Sequence, residues 1–446
     1  MRDVISVVLA GIGGYGRMYL SHLLDGPEAR ACKIVGVADP LPQRCDRLAE
    51  VQARSIPVYE SLESFYETQH ADLAIIATPV HLHSKHILLA LSRGSHVLCE
   101  KPLASSMNDI AELIESRDAA HRHVAIGYQW SFSPAIRQLK RDVALGVLGK
   151  PLRMRTMVLW PRGEEYYARN GWAGRVNDLE TGAPVLDSPL HNACAHFVHN
   201  MFYILGDARD ARAYPSDVTA ELYRANTIEN YDTAVVRCTI GKDVDAMMVA
   251  SHAVPKRCGP VFSYEFEHAT VSYDDAKNSE GVTARFHDGR VKSYGQPCAS
   301  NDPTKLWHMV DCICTGDAPM CGIEAAAAQT ALVCAAQESA VQIGTFPTSS
   351  VVMQPGENGT LRWVQQLETQ LKSCYESMRL PSEARLSWGK PGNRVEVEPP
   401  TLFLVPVNGK HNGNGNGNGK AHAPKLTTTV FVPRVPASRA PLAEPN

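Results

Sequence analysis

The chain has 446 residues, with 44 Lys and Arg against 47 Asp and Glu, a formal net charge of −3. That balance supplies no global cation to hold nucleic acid or an anionic membrane. No apolar run approaches the ~20 residues that span a bilayer, and 44% hydrophobic residues suffice for sizeable cores.

In chain order, short apolar and β-branched runs stand at residues 4–10, 33–38, 73–77, 95–99 and 123–126. Helix-period stretches separate them, at 17–25, 42–53, 62–68, 84–93 and 107–120. Residues 1–10 faintly imitate a signal peptide, but the apolar stretch is short and meets a glycine loop, so it reads as a first strand. Strands with continuous rather than alternating hydrophobicity are buried on both faces, which predicts βαβ units of a doubly wound parallel sheet over 1–126. A helix over 134–145 then leads through Gly149-Lys150-Pro151 into a strand at 152–159. Longer strands follow at 218–224, 234–240, 244–250, 264–273 and 282–287, and Asp288-Gly289 is a hairpin signal before 290–294. These predict a second domain over 127–405 with a large open, mostly antiparallel sheet. Helices would cover one of its faces, and the other would serve as a dimer interface. An Ala-rich helix is expected over 322–342, then a polar stretch of undefined structure, and the Asn-Gly-rich residues 406–446 read as a disordered tail. Twelve cysteines without Cys-x-x-Cys spacing predict reduced thiols and a cytoplasmic location.

Gly11-Ile12-Gly13-Gly14-Tyr15-Gly16 joins the first strand to the first helix. The first glycine permits a tight turn, the second lets backbone approach a pyrophosphate, and the third lets helix and strand pack closely. The helix N-terminus then offers its N–H groups and positive dipole end to the phosphates. Asp39 ends the next strand, 23 residues after Gly16. A carboxylate there bonds the adenosine ribose hydroxyls and repels a 2′-phosphate, so the expected cofactor is NAD rather than NADP, in a Rossmann domain.

Ala77-Thr78-Pro79 and Cys99-Glu100-Lys101-Pro102 follow strand ends on the side where a doubly wound sheet binds its ligand. Lys101 there would lie close to the nicotinamide, whose positive charge, with partial burial, lowers the lysine pKa toward neutrality. Further on, Pro189 suits a first helical turn, and Asn192, His196, His199 and Tyr203 form one polar stripe at i, i+4, i+7 and i+11. That stripe is open to three readings: a substrate site, a satisfied core network or a solvated face. No His-Glu-x-x-His or Cys/His pairing is present, so no metal is expected.

Together the glycine loop, Asp39, Thr78-Pro79, His83, Glu100-Lys101-Pro102 and Gly127-Tyr128-Gln129 resemble the Gfo/Idh/MocA oxidoreductases. The resemblance runs over about residues 3–345. It implies a Rossmann domain followed by an α/β domain, assembly into homodimers or homotetramers, and redox chemistry on a sugar, cyclitol or related polyol. Gly11 to Gly16, Asp39, Thr78, Pro79, His83, Glu100, Lys101 and Gln129 would then hold the cofactor. Lys101 and His196 match the family's chemical positions, whereas Asn192 stands for its aspartate and His199 for a second one. Trp130 and Ser131 replace its usual arginines.

The expected activity is therefore hydride transfer between NAD and a hydroxyl-bearing carbon. His196 would be the base because an ordinary histidine pKa of ~6.5 lies near operating pH. Lys101 would stabilise charge on the reacting oxygen and Asn192 would position the substrate. His199, Trp172 and Arg175 would add substrate contacts. The alternatives are a glycosidase that oxidises its sugar transiently and a non-catalytic NAD-binding regulator.

Overall fold

The computed structural model describes residues 4–206, 213–277, 280–298, 302–356 and 359–400. The tail expected over 406–446 lies outside the described residues.

Strands β1 (Ile5–Ala10), β2 (Cys32–Ala38), β3 (Val58–Tyr59), β4 (Leu73–Ile76), β5 (His96–Cys99) and β6 (Val124–Ile126) form a sheet ordered β3-β2-β1-β4-β5-β6. Every neighbouring pair in it is parallel. Helices α1 (Gly16–Asp25), α2 (Leu48–Ala53), α3 (Leu62–Thr68), α4 (His83–Ser92) and α5 (Met107–Ala120) make the crossovers. Alternate residues of one strand feed different cores, which is why the strands read as unbroken apolar runs. Val8, Ala10, Ala74 and Ile76 pack with Phe65, Ile87 and Leu113 on one side. Val7, Leu9, Leu73 and Ile75 pack with Tyr19, Leu20 and Leu23 on the other. The helix expected over 42–53 is interrupted: Pro42–Arg44 forms a 3₁₀ turn and only Leu48–Ala53 is α-helical.

After α6 (Pro134–Ala144) the second sheet begins with β7 (Pro151–Leu159), followed by α7 (Glu164–Ala168) and α8 (Ala195–Tyr203). Strands β8 (Pro215–Arg224), β9 (Thr233–Ile240), β10 (Val244–Ser251), β11 (Cys258–Phe266), β12 (Ala269–Asp274), β13 (Val282–Phe286) and β14 (Val291–Gly295) extend it. Glu267 and His268 break the single strand expected over 264–273 into the β11–β12 hairpin. Gly289, at φ +91°, turns β13 into β14 where Asp288-Gly289 predicts it. The order over these strands is β14-β13-β12-β11-β7-β10-β9-β8, antiparallel except that β7 and β10 run parallel, and Gly344–Thr345 adds a further strand parallel to β8.

Helix α9 (Thr304–Thr315) returns to the first sheet, where Leu306, Met309 and Val310 complete its second core. The Ala-rich helix α10 (Ile323–Ser339) is buried nearly all round, so small side chains let α5, α8 and β8 approach it closely. The first domain is thus finished by residues far beyond 126.

The polar stretch after α10 is ordered. It contains β15 (Gly344–Thr345), the hairpin β16 (Val351–Gly356) and β17 (Gly359–Val364), α11 (Leu367–Ser377) and β18 (Val395–Glu396). Leu367, Leu371, Cys374, Tyr375 and Trp388 pack on Met157, Leu159, Tyr223, Val235, Met247 and Val249. The sheet face expected to be open for a dimer is therefore covered by the chain's own extension, because the apolar positions of α11 fall on one helix side. Among the described residues no helix is long and apolar enough to cross a membrane.

Candidate functional site

The glycine loop is held by close backbone approach. A Cβ on Gly11, whose φ is +85°, would lie 2.6 Å from the Ala77 carbonyl oxygen, and one on Gly16 would lie 1.7 Å from that of Gly11. A Cβ on Gly14 would meet nothing within 4 Å, so there the loop's own backbone forms the wall of a cradle. Asp39 is buried against the loop: Oδ2 accepts from the N–H groups of Ile12 (2.8 Å) and Gly13 (3.1 Å), and Oδ1 from Leu41 (2.9 Å). A carboxylate has about four acceptor positions, so one remains for a ribose hydroxyl. On the nicotinamide side Gln129 is buried, and its Nε2 has no partner. An uncapped glycine cradle, an acid at its edge and an unpartnered amide fit NAD.

The other two cofactor segments are tied together from behind. The His83 ring reaches the carbonyls of Thr78 (2.9 Å) and Pro102 (2.7 Å), and Thr78 Oγ1 meets His86 Nδ1 at 3.1 Å. His83 is thus a brace between the two loops, and its neutral ring donates one N–H to one of these two carbonyls. Glu100 also faces inward. Its carboxylate accepts from Tyr19 Oη (2.6 Å), from Lys305 Nζ and from the Lys101 N–H (3.3 Å). Burial pushes the Glu100 pKa up, but the Lys305 charge and these hydrogen bonds outweigh it and leave it lowered. A Cβ on Gly127 would stand 2.8 Å from Glu100 Oε1, which explains glycine there. Lys305, on α9, had no signal in the sequence. It also lies over the ring of Tyr15, 4.6 Å from its centre.

Lys101 points the other way, toward the second domain. Its Nζ donates to both the backbone oxygen (2.9 Å) and Oδ1 (3.0 Å) of Asn192. Asn192 Nδ2 donates in turn to Asp187 Oδ1 at 2.8 Å, and these partners fix the orientation of the amide. Asp187 is itself buried, takes the Gly174 N–H at 2.6 Å on Oδ2 and has Arg169 Nη2 at 3.6 Å. The carboxylate missing from position 192 is thus supplied from five residues upstream. Only its place at the head of the site segment could have drawn attention to Asp187. Burial lowers the Lys101 pKa most, Glu100 opposes that, Lys305 adds to the lowering and Asp187 opposes it, with a net downward shift.

The polar stripe is not one helix face. Pro189–Ala193 is a π-helical turn, in which the Cys194 N–H reaches back to the Pro189 carbonyl (2.7 Å), and α8 starts only at Ala195. This change of phase separates the stripe's members. His196 lies edge-on to Tyr128 with ring centres 6.0 Å apart, and its Nδ1 is buried without a partner. Burial, then the Lys101 and Lys305 charges, hold its pKa well below the ordinary value. With its pKa held down, His196 is a weaker base than one near its ordinary pKa. His199 does not reach the site: it stacks on Tyr128 at 4.0 Å and meets Ser131 Oγ at 2.8 Å inside the core. Arg175 is a half-buried partner of the exposed Glu229 (3.9 Å), and Trp172 lies beside Arg169, 5.1 Å from its guanidinium. The Arg175 carbonyl takes the Asp187 N–H at 2.9 Å, and Arg169 faces Asp187, so both residues border the series rather than touching Lys101. Among the described residues no group of three or more His, Cys, Asp or Glu is placed to hold a metal.

Residues 5–128 match the family model described as an oxidoreductase family with an NAD-binding Rossmann fold, GFO_IDH_MocA. Over these residues the chain carries that family's NAD-binding domain. Relatives in this family include the rhizopine catabolism protein MocA of Rhizobium meliloti, 31% identical over 139 residues, covering 31% of this chain and 43% of the relative. Inositol 2-dehydrogenase 4 of Saccharopolyspora erythraea is 34% identical over 152 residues, covering 32% and 43%. The chain thus spans less than half the length of these curated relatives. The scyllo-inositol 2-dehydrogenase (NAD(+)) of Bacillus subtilis is 23% identical over 336 residues, covering 72% and 89%. The solved WlbA dehydrogenase of Chromobacterium violaceum shares the fold, with a TM-score of 0.63 at 20% identity over 76% of this chain and 94% of that one. The Gfo/Idh/MocA glycine loop and Glu-Lys-Pro segment both lie inside the family match.

Proposed function

We propose that the chain is an NAD-dependent oxidoreductase that moves hydride between the nicotinamide and a hydroxyl-bearing carbon of a sugar, cyclitol or related polyol. The observation that carries this is the hydrogen-bonded series Lys101–Asn192–Asp187, with His196 in the field of the Lys101 charge. It lies next to the loops that follow β4 and β5, where a doubly wound sheet receives its ligand. Relatives named as inositol dehydrogenases, and the D-glucoside 3-dehydrogenase of Escherichia coli at 26% identity over 175 residues, support the substrate class.

In this reading Lys101 takes the proton. As a neutral amine it has two N–H groups and one lone pair. Both N–H groups are engaged by Asn192, so the lone pair is left to take the hydroxyl proton while hydride leaves the same carbon. As an ammonium it offers the third N–H back in the reverse direction. The lowered Lys101 pKa brings the amine form closer to neutral pH. Neutral His196 then serves as a hydrogen-bonding partner that orients the reacting hydroxyl. When bound, NAD supplies the hydride acceptor, held by Gly11 to Gly16, Asp39 and Gln129.

The test is to incubate the chain and NAD with sugars, inositols and glycosides, following nicotinamide absorbance and glycone release. Absorbance change that disappears in Lys101→Met supports the reading. Glycone release without net NAD reduction marks a glycosidase working through transient oxidation. Tight NAD binding with neither signal marks a regulator and refutes the proposal.

A further inference from the structure

The parallel neighbours β7 and β10 end at the same edge of the second sheet, and two polar residues stand just past those ends. The Trp160 N–H bonds the Ser251 carbonyl (2.8 Å) and the Arg162 N–H bonds the His252 carbonyl (3.2 Å), which fixes Arg162 and His252 side by side. Arg162 is partly buried, with its guanidinium carbon 5.0 Å from the ring centre of Tyr166 and 5.7 Å from that of Trp160. Its Nη1 donates to the Pro161 carbonyl at 3.2 Å, its Nε is buried with no partner, and among the described residues it has no carboxylate. The arginines around it differ in that respect. Arg169 has Asp187 at 3.6 Å, and Arg257 has Asp275 at 3.3 Å. A guanidinium partly withdrawn from water and left unpaired is costly, and its planar fork matches a carboxylate or a phosphate.

His252 is 1% exposed. Its Nδ1 meets the Trp160 carbonyl at 2.7 Å, so Nδ1 carries the proton, and Nε2 is buried with no partner. Burial, with Arg162 beside it, holds its pKa down at about 3, so the ring is neutral and Nε2 is an acceptor. An unpaired cation next to an unpaired acceptor calls for an anion that also carries a hydroxyl. The pair is continuous with the reaction site: Tyr166 lies under Arg162 on one side and under Arg169 (3.8 Å) on the other, and Arg169 leads through Asp187 and Asn192 to Lys101. The thiol of Cys194 lies in the field of both Arg162 and Lys101.

We propose that Arg162 and His252 form a substrate subsite for an anionic sugar or polyol, with Arg162 binding a carboxylate or phosphate and His252 Nε2 accepting from a neighbouring hydroxyl. This deepens the function proposed above and rests on it. It predicts that acidic sugars are preferred over their neutral parents.

The test titrates the full chain, loaded with NAD, with glucose, glucuronate and glucose 6-phosphate by calorimetry, for the wild type, Arg162→Met and Arg162→Lys. One of the two anions should bind at least about tenfold more tightly than glucose, which separates carboxylate from phosphate as the preferred group. Arg162→Met should remove that preference, and Arg162→Lys should keep part of it, because a point charge retains attraction but not the fork. Thermal stabilisation by NAD should be equal in all three, showing that the variants fold. Equal binding of glucose and both anions by the wild type, or a preference that survives Arg162→Met, overturns the subsite. If neutral polyols are meanwhile oxidised with dependence on Lys101, the general function stands without it. Absence of binding by every sugar in the panel, with no turnover, overturns both.

Discussion

Asn192 offers one ammonium two oxygen atoms, from its backbone and its side chain, and passes the far side of its amide to a carboxylate. Lys101 therefore senses Asp187 without touching it. Asp187 holds the Lys101 pKa up against burial, so removing that charge lowers it further. With Lys101 as base, Asp187→Asn should move the acid limb of kcat/KM for oxidation to lower pH, which a pH–rate profile checks. His196→Ala should lower kcat by about 10²-fold or more, measured under saturating NAD, because a hydrogen-bonding partner of the reacting hydroxyl is lost. Lys101 was legible because Glu-Lys-Pro is a local motif after a strand. Asp187 was not, since its role depends on a turn that brings it back onto Asn192. His199 misled for the opposite reason: residue spacing alone cannot show which side of a helix is already filled by Tyr128 and Ser131.

At the scale of elements, α9 and α11 both act as covers. Helix α9 puts Lys305 against Glu100 under the Glu-Lys-Pro loop, with side chains 1% and 8% exposed. Removing one partner strands the other as a buried charge, so Lys305→Met or Glu100→Gln should each cost about 3–5 kcal/mol in urea unfolding. The double variant should cost less than the sum of the two. The folded Glu100 pKa is depressed, so its stabilising contribution is present above the ordinary carboxylate range and is lost as pH falls through its lower folded value. Helix α11 rests on Leu371, which is fully buried; Leu371→Ala should cost about 2–5 kcal/mol by the same measurement. The alternating and continuous apolar runs made the two sheets readable. The cover over the second sheet was not readable, because four or five apolar residues in a polar stretch specify a surface only once their target exists.

For the molecule as a whole, the extension and the cofactor each link stability to another event. Truncation before the β16–β17 hairpin would uncover Met157, Val235, Met247 and Val249 together. An apolar patch of that kind seeks a partner, so the truncated chain should self-associate in sedimentation while the intact chain does not associate through this face. NAD at 100 times its dissociation constant should stabilise the fold by about 2.7 kcal/mol. NADP at the same concentration should do less, because its 2′-phosphate meets the Asp39 carboxylate. A differential scan with each cofactor decides this.

The π-helical turn at Pro189–Ala193 carries a consequence for helix phase. Such a turn is an α-helix holding one extra residue, and each residue of an α-helix advances the direction of its side chain by about 100°. One residue more in the turn therefore rotates the amide and carbonyl of Asn192 by about 100° relative to the helix beyond it, which carries His196. Deleting that residue would restore a regular helix and swing Asn192 away from Lys101.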